Sequence, residues 1–242
     1  FFIFKNIATL MIDTTGVAVH KRGYRTEAGA APLRETLAAA VAAISRPRED
    51  VLFWDPFCGS GTIPIEAALY ATNTAPGIRR RFVAETWRDI IPKEEWANAR
   101  EEAMEMRDMS VETDIQASDI DPEAIEIAKQ NAKNAGVYNK IRFSVCDCAK
   151  LKPFKEKGVI ICNPPYGERL SDATECQKLY RDMGKAFEKL PDWSYYILAS
   201  DENFENMAEE INDADVLRIK DILEDENLCY TIGVTEEEAS LV

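Results

Sequence analysis

The chain has 242 residues, 46% of them hydrophobic, which is enough to bury one substantial core and favours a single α/β domain. Its formal net charge of −14 argues against a protein that clamps nucleic acid unaided, so it either acts on a small molecule or gains nucleic-acid affinity from another domain or from local basic patches. One histidine and six cysteines without a CxxC pair argue against a metal site such as zinc, and against Ser-His-Asp or Cys-His catalysis.

The sequence also predicts where the protein works. No apolar run approaches the length of a membrane span, so we expect no membrane partner. Scattered thiols without a signal peptide fit a reducing compartment, and a cytoplasmic location is expected. Residues 1–4 are strand-like from the first position and lack an initiator Met, which predicts a fragment cut from a longer protein.

Residues 1–45 are predicted to form a β-hairpin and a helix that lead into the main domain. The hairpin, or a pair of short strands, would use residues 8–13 and 17–20, with a turn between them. A short basic patch follows, and a helix is predicted over residues 32–44 because Pro32 suits a first helical turn.

Residues 46–242 alternate between strands and helices. The predicted strands are 51–54, 115–118, 141–145, 158–162 and 194–199, and the predicted helices are 62–71, 122–135, 175–190 and 203–211. Two closing strands, 216–222 and 228–234, are joined too briefly for a helical crossover and should pair antiparallel. The pattern predicts an α/β fold: a mostly parallel, doubly wound, seven-stranded sheet with a C-terminal antiparallel hairpin and an insertion at about residues 73–113.

A glycine-rich loop, Asp55-Pro56-Phe57-Cys58-Gly59-Ser60-Gly61-Thr62, directly follows the first parallel strand. Its glycines allow a tight turn into the next helix and close approach of a ligand to the main chain. The loop lacks the Lys that a phosphate-binding loop requires. Asp55 at the strand end favours a cationic or amine-bearing ligand. The alternative is a tight turn that only packs strand on helix.

Two further carboxylates close the next strands. Asp119, in Ser118-Asp119-Ile120-Asp121-Pro122, is placed to accept hydrogen bonds from ribose hydroxyls, whereas Asp121 is assigned mainly to capping the following helix. Asp147, in Cys146-Asp147-Cys148, could accept from an adenine amino group or could be an ordinary loop acid.

The most informative motif is Asn163-Pro164-Pro165-Tyr166, which follows the apolar strand 158–162. A polar residue at the carboxyl end of such a strand lies where open α/β sheets hold their ligands. The two prolines remove two N–H donors and leave outward carbonyls, so the Asn163 oxygen and one carbonyl can accept both hydrogens of an –NH2 group. The Tyr166 ring offers a stacking face for a flat base. The alternative is a proline-rich turn that ends the strand.

These motifs together resemble the class I S-adenosylmethionine-dependent methyltransferases that methylate amines. More narrowly, the chain is similar to the RlmL-like (UPF0020) family of large-subunit ribosomal RNA guanine-N2 methyltransferases. The segments that carry the resemblance span nearly the whole chain: residues 20–25, 31–38, 55–62, 75–77, 118–122 and 163–169. The resemblance implies a Rossmann-like methyltransferase fold and an N-terminal RNA-binding THUMP domain, which this sequence does not include.

The resemblance also implies a cofactor and the residues that hold it. S-adenosylmethionine would lie across the strand ends, with its methionine part over Gly59 and Gly61, its ribose on Asp119 and its adenine near Asp147. The implied cofactor-binding set is Thr36, Asp55, Phe57, Gly59, Ser60, Gly61, Thr62, Asp119, Ile120, Asp147 and Cys148. The implied catalytic set is Asn163, Pro164, Pro165 and Tyr166, with no metal and no covalent intermediate.

Three functions therefore compete. The first is guanine-N2 methylation of ribosomal RNA, the second is adenine-N6 methylation of DNA or methylation of another amine, and the third is a non-catalytic module of the same fold. An intact Asn163 and Tyr166 argue against the third. We predict that two basic clusters flank the Asn163 pocket and contact RNA phosphates, although solvated surface charge is an equal alternative. The clusters are Lys21, Arg22 and Arg25, and Arg79, Arg80 and Arg81.

Overall fold

The computed structural model describes residues 1–25, 33–152, 155–165, 173–190 and 192–198. An N-terminal hairpin of β1 (Phe2–Phe4) and β2 (Ile7–Thr9) precedes the main domain. The main domain then alternates strands and helices in the order α1 (Glu35–Ser45), β3 (Leu52–Asp55), α2 (Thr62–Ala71), α3 (Lys93–Glu105), β4 (Ile115–Asp119), α4 (Pro122–Ala135), β5 (Ile141–Val145), β6 (Gly158–Cys162), α5 (Ala173–Phe187) and β7 (Trp193–Ile197).

The described strands of the main domain form one parallel sheet in the order β5-β4-β3-β6-β7. The chain moves outward from β3 through β4 to β5, and then crosses back so that β6 lies on the other side of β3. The strand order therefore reverses between β3 and β6, where doubly wound sheets open a crevice for ligands. The predicted parallel, doubly wound α/β fold is confirmed. The predicted helix at 203–211 and the closing hairpin lie outside the described residues.

Helices cover both faces of the sheet because alternate strand residues point to opposite sides. Phe53 belongs to a core shared with α1, α2 and α4, whereas its neighbours Leu52 and Trp54 belong to a core shared with α5. All five residues of β6 are buried, as expected of a central parallel strand. The two cores fix the strand ends that carry the predicted site.

The N-terminal hairpin differs from the prediction. Its turn is Lys5-Asn6, both with positive φ (47° and 62°), which matches the twist of a tight two-residue hairpin. The predicted strands at 8–13 and 17–20 are wrong, since only Ile7–Thr9 is strand and none follows up to residue 25. Backbone carbonyls of residues 14–18 instead accept hydrogen bonds from Arg80, Val83 and Ala84.

The segment between α2 and β4 is where the insertion was predicted. It contains a short 3₁₀ turn at Val83–Thr86 and α3, which has no buried residue. Arg100 of α3 pairs with Glu85, and Trp96 stacks on Phe82 at 5.7 Å between ring centroids. The insertion therefore adds an exposed helix at the surface and contributes no strand to the sheet.

Candidate active site

The carboxyl ends of β3, β4, β5 and β6 bring four predicted polar residues to one edge of the sheet. Asp55 is the last residue of β3 and Asp119 the last of β4, while Asp147 and Asn163 follow β5 and β6. The parallel register holds them there, with Asp55 paired to Ala117 and Asp119 to Val145. Asp55 and Asn163 flank the point where the strand order reverses.

The glycine-rich loop crosses from β3 over the end of β4. The Cys58 N–H donates to the Ser118 carbonyl and the Gly59 N–H donates to Asp119 Oδ2, both at 2.9 Å. Gly59 has φ +50°, and a Cβ added there would meet no heavy atom within 4 Å. The space beside Gly59 is therefore open on the side where a ligand could approach.

Gly61 is required for a different reason. It has φ +82°, and a Cβ there would lie 2.9 Å from the Ala128 Cβ on α4. The missing side chain therefore lets α2 begin against α4. Asn131, one turn further along α4, is almost fully buried and donates to the Ser60 carbonyl at 3.0 Å. Sequence reasoning missed Asn131, although a polar residue on the apolar face between Ala128 and Ala132 signals such a role.

Asp119 uses both carboxylate oxygens within the loop. Oδ2 accepts from Gly59 and Oδ1 accepts from the Asp121 N–H at 3.0 Å. A carboxylate has about four lone-pair positions, so it can still accept hydrogen bonds from two hydroxyls. Asp121 Oδ1 accepts from the Glu123 N–H at 2.8 Å, which confirms its predicted role as the cap of α4. Ile120 is 69% exposed beside this carboxylate.

Asp55 lies in a very different environment from Asp119. It is 1% exposed, and its Oδ1 accepts from the Phe57 N–H at 3.0 Å. Burial raises the pKa of Asp55 well above its usual range, and the nearby Asp119 raises it further. A cationic group beside Asp55 would favour the ionised carboxylate, so this position suits an ammonium ligand.

Asp147 has a local structural role. Its Oδ1 accepts from the Ala149 N–H at 3.0 Å and its Oδ2 lies 3.3 Å from Lys150 Nζ, so it caps the short turn Cys148–Lys150. Cys148 is buried behind it. Its position at the end of β5 is the predicted one, and a contact with adenine stays a prediction.

The Asn163-Pro164-Pro165 segment leaves the sheet directly from β6. The Cys162 carbonyl accepts from the Leu198 N–H at 2.9 Å, and the Pro165 carbonyl accepts from the Tyr180 hydroxyl at 3.2 Å. Asn163 is half-buried and Pro164 is buried. Tyr166, the fourth residue of the predicted motif, lies outside the described residues. Tyr180, which belongs to α5, was not predicted as a site residue.

Three predicted cofactor residues remain, namely Thr36 in α1 and Phe57 and Thr62 within the loop itself. Thr36 is buried in the first turn of α1, and Phe57 packs beside the core that α5 shares with β3 and β6. Thr62 Oγ1 lies 3.4 Å from Ser60 Oγ and accepts from Arg25 Nη2 at 2.8 Å. The hydroxyl of Thr62 is therefore already engaged within the protein.

The first basic cluster is largely occupied by internal contacts. Arg22 is buried with its Nε 3.8 Å from Glu66 Oε1, and Arg25 lies 3.6 Å from Glu35 in addition to its bond to Thr62. Lys21 is exposed. Since Thr62 begins α2, Arg25 lies near the edge of the sheet that carries the candidate site.

The second basic cluster lies at the opposite edge. Arg79 donates to the Asn134 carbonyl near the end of α4, and buried Arg80 donates to carbonyls of residues 17–18. Because α4 runs from the carboxyl end of β4 back towards the amino end of β5, Asn134 is far from the Asn163 edge. The prediction that Arg79, Arg80 and Arg81 flank the Asn163 pocket is therefore wrong, because the structure places this cluster at the opposite edge of the sheet.

The described residues contain no helix long and apolar enough to cross a membrane. Within the same ranges, no group of three or more His, Cys, Asp or Glu side chains is arranged to hold a metal ion.

Comparison with known proteins identifies relatives over most of the chain. The model of the UPF0020 family, described as RMKL-like, methyltransferase domain, matches residues 22–220. "Putative RNA methyltransferase YpsC" of Bacillus subtilis (strain 168) is 46% identical over 203 residues, covering 84% of this chain and 52% of that protein. "Ribosomal RNA large subunit methyltransferase K/L" of Shewanella baltica (strain OS155) is 42% identical over 205 residues, covering 82% of this chain and 29% of that protein.

Solved structures share the fold. A predicted N6-adenine-specific DNA methylase from Listeria monocytogenes superposes with a TM-score of 0.76 at 48% identity, over 81% of this chain and 51% of that one. SMU.472, crystallised as a complex with SAH, gives a TM-score of 0.76 at 41% identity over the same shares of the two chains. The chain therefore spans about half the length, or less, of these similar proteins.

Proposed function

The chain belongs to the UPF0020 family of RMKL-like methyltransferase domains, and we propose that it methylates an exocyclic amine of an RNA base, with S-adenosylmethionine as the methyl donor. The proposed amine is N2 of guanine in large-subunit ribosomal RNA, a substrate that implies a cytoplasmic enzyme. One observation carries the proposal: the Asn163-Pro164-Pro165 segment lies beside the glycine-rich loop, where the strand order reverses.

The residues at this edge fit S-adenosylmethionine. The open space at Gly59 admits a ligand against the main chain, and Asp119 has acceptor positions left for two ribose hydroxyls. Asp55 is a buried carboxyl group that an ammonium group would stabilise in its ionised form. The related SMU.472 was crystallised with SAH, the product that remains after the methyl group has left.

The donor, when bound, supplies an electrophilic methyl group on its sulfonium. The work of this chain is then to position the acceptor amine. Asn163 Oδ1 and the Pro164 carbonyl accept the two amine hydrogens, so that the nitrogen lone pair points at the methyl group. Tyr166 stacks on the base after it has left its helix. No side chain has to form a covalent bond to the substrate.

The names of the relatives favour RNA over DNA. YpsC and the Shewanella protein are both named RNA methyltransferases, whereas the Listeria structure is titled a predicted N6-adenine-specific DNA methylase. The acceptor pair on Asn163 and Pro164 would hold a guanine N2 or an adenine N6 equally well. Adenine-N6 methylation is therefore the second candidate function.

RNA affinity is proposed to depend on a further RNA-binding domain of the THUMP type. The net charge is −14, and two arginines of the first basic cluster, Arg22 and Arg25, are engaged inside the protein. This leaves Lys21 as the exposed member of that cluster. We propose that Lys21 contacts an RNA phosphate.

The test offers both nucleic acids in parallel. The protein, expressed together with the RNA-binding domain proposed above, is incubated with isotope-labelled S-adenosylmethionine and with either large-subunit ribosomal RNA or DNA from cells that lack the gene. Digestion to nucleosides and mass spectrometry then identify the methylated base. Labelled N2-methylguanosine from RNA is expected, and the signal should disappear with Asn163→Ala. Labelled N6-methyladenine from DNA instead would establish the second candidate.

A further inference from the structure

The segment that holds the proposed acceptor pair has very few anchors of its own. Neither Pro164 nor Pro165 has a backbone N–H, so neither can donate a hydrogen bond to the sheet or to a helix. The two prolines can therefore be fixed only through their carbonyl groups and their packing. Among the described residues, two such contacts are present, at the Cys162 carbonyl on one side and at the Pro165 carbonyl on the other.

The second anchor comes from a buried side chain of the core shared by α5 and the sheet. Tyr180 of α5 is 2% exposed and belongs to the core that includes Trp54, Cys162 and Met183. Its hydroxyl donates to the Pro165 carbonyl at 3.2 Å. A buried tyrosine has few rotamers open to it, so the position of its hydroxyl is set by the packing of α5 on the sheet.

The Asn163 side chain and the Pro164 carbonyl lie in the chain between the two anchored carbonyls, those of Cys162 and Pro165. Among the described residues, none donates a hydrogen bond to the Asn163 side chain or to the Pro164 carbonyl. Pro164 is nevertheless buried, and buried carbonyl groups in native proteins nearly always have a partner. Within the described residues, the two proposed amine acceptors are therefore available, and the next carbonyl is removed from competition.

We propose that Tyr180 is the positioning residue of the acceptor site: by holding the Pro165 carbonyl, it fixes the Pro164–Pro165 peptide so that the Pro164 carbonyl and Asn163 act as one rigid pair. The inference rests on the proposed amine methylation. It assigns Tyr180 no contact with cofactor or base, so the effect of its loss should fall on turnover and spare cofactor affinity.

The test compares Tyr180→Phe with a matched control, Tyr195→Phe. Tyr195 lies in the same core, and its hydroxyl donates to the Phe187 and Leu190 carbonyls at 2.9 and 2.8 Å, away from the Asn163 segment. Each variant loses one buried tyrosine hydroxyl. Tyr180→Phe should lower kcat about five- to tenfold, which corresponds to one neutral hydrogen bond, with an unchanged Kd for SAH. Tyr195→Phe should lower stability and leave kcat within about twofold of the wild type.

A second readout does not depend on activity. Pro165–Tyr166 is the only Pro–Tyr pair in the sequence, so labelling with carbonyl-¹³C proline and ¹⁵N tyrosine gives one amide signal that reports the Pro165 carbonyl. Loss of a hydrogen bond to that carbonyl should move its ¹³C resonance upfield in Tyr180→Phe and leave it in place in Tyr195→Phe.

The outcomes separate this inference from the proposed function. If the Pro165 resonance stays in place in Tyr180→Phe, the anchor is wrong whatever the activity. If it moves but both variants lose kcat equally, Tyr180 has only a structural role and the inference fails. If the wild type methylates no nucleic acid, the proposed function fails, and the resonance alone then decides whether Tyr180 holds the segment.

Discussion

Two aspartates at neighbouring strand ends show how one residue type serves two purposes. Asp55 is buried, accepts one backbone hydrogen bond and has a raised pKa, whereas Asp119 is half-buried and accepts two. The first is a poor acceptor for neutral hydroxyls and a good partner for a cation. The second is a partly exposed acceptor that also holds the Gly59 N–H. Their positions along the cofactor should follow this difference.

Asp119→Ala is expected to weaken cofactor binding. The substitution removes a charged acceptor from the ribose, a loss of about 1.5–3 kcal/mol, and it also leaves the Gly59 N–H without its partner. Isothermal titration calorimetry with SAH measures the change. Asp121→Ala is the control, because it removes a helix cap on the same turn and should lower stability by about 1 kcal/mol while sparing affinity. Equal affinities for wild type and Asp119→Ala would rule out the ribose contact.

Asn163→Ala is expected to abolish turnover and leave cofactor affinity nearly intact. The cofactor contacts proposed above lie on other strand ends, whereas the Asn163 oxygen aligns the amine in the transition state. Loss of such a contact costs about 10²–10³ in rate. Single-turnover methylation and SAH binding are measured on the same preparation. A variant that methylates at a near-normal rate would refute the acceptor pair.

Tyr166 supplies an independent check on the same mechanism. Tyr166→Ala should impair base capture and rate together, since stacking contributes roughly 1–3 kcal/mol per base. Tyr166→Phe should be much milder because the ring face, not the hydroxyl, contacts the base. KM and kcat for RNA are compared across the two variants. Equal damage from both would show that the hydroxyl is the important group.

At the scale of single elements, strong local signals made the central elements predictable. The bounds of α2, α4, β5 and β6 agree with the prediction, since each has an apolar pattern with a clear terminus, such as Asp121-Pro122 at the start of α4. The bounds predicted for the N-terminal hairpin disagree with the structure. Residues 8–20 alternate only weakly between apolar and polar side chains, and several of their carbonyls accept hydrogen bonds from residues 80–84, far away in sequence. Tertiary contacts of this kind leave no local pattern.

The candidate site was predictable to the same extent. Residues at strand ends, such as Asp55, Asp119 and Asn163, were found because parallel strands end at a common edge. Supporting residues on helices were missed, because Asn131 and Tyr180 act through contacts 71 and 15 residues distant in the chain. The position of the second basic cluster was predicted wrongly for a similar reason. Arg79 contacts Asn134 near the end of α4, at the edge of the sheet opposite the candidate site.

The two loop glycines should respond differently to the same substitution. Gly59→Ala should cost only the strain of a positive φ, about 1 kcal/mol, because the added methyl group meets no protein atom. That methyl group would enter the open space proposed for the cofactor, so affinity should fall. Gly61→Ala should destabilise the fold by about 2–4 kcal/mol, because its methyl group also overlaps Ala128.

Urea unfolding and calorimetry with SAH separate these two effects. Gly59→Ala is expected to change affinity far more than stability, and Gly61→Ala the reverse. If Gly59→Ala binds SAH as tightly as the wild type, the open space at Gly59 does not receive the cofactor.

At the scale of the whole molecule, a buried polar network joins the N-terminal arm to the main domain. Tyr24 and Arg22 both contact Glu66 in the middle of α2, and the Tyr24 carbonyl accepts from Asn134 of α4 at 3.0 Å. The basic patch at residues 21–25 therefore serves first as a structural connection. Within it, Arg22 lies beside Glu66 and Arg25 lies beside Glu35.

This network should make stability depend on pH through Glu66. Burial raises the pKa of Glu66 to about 7 from 4.5, although Arg22 and the Tyr24 hydroxyl act in the opposite direction. Between these two pH values the folded state holds a proton that the unfolded state has released, so the free energy of unfolding falls as pH rises. Across the full window the free energy of unfolding falls by about 3 kcal/mol, and above pH 7 this contribution stays constant.

Glu66→Gln keeps an acceptor for Tyr24 but cannot titrate. Urea unfolding of both proteins from about pH 5.5 to pH 8 should therefore show the wild type losing about 2 kcal/mol relative to the variant. Parallel curves would mean that Glu66 is ionised throughout this range, and that Arg22 compensates fully for its burial.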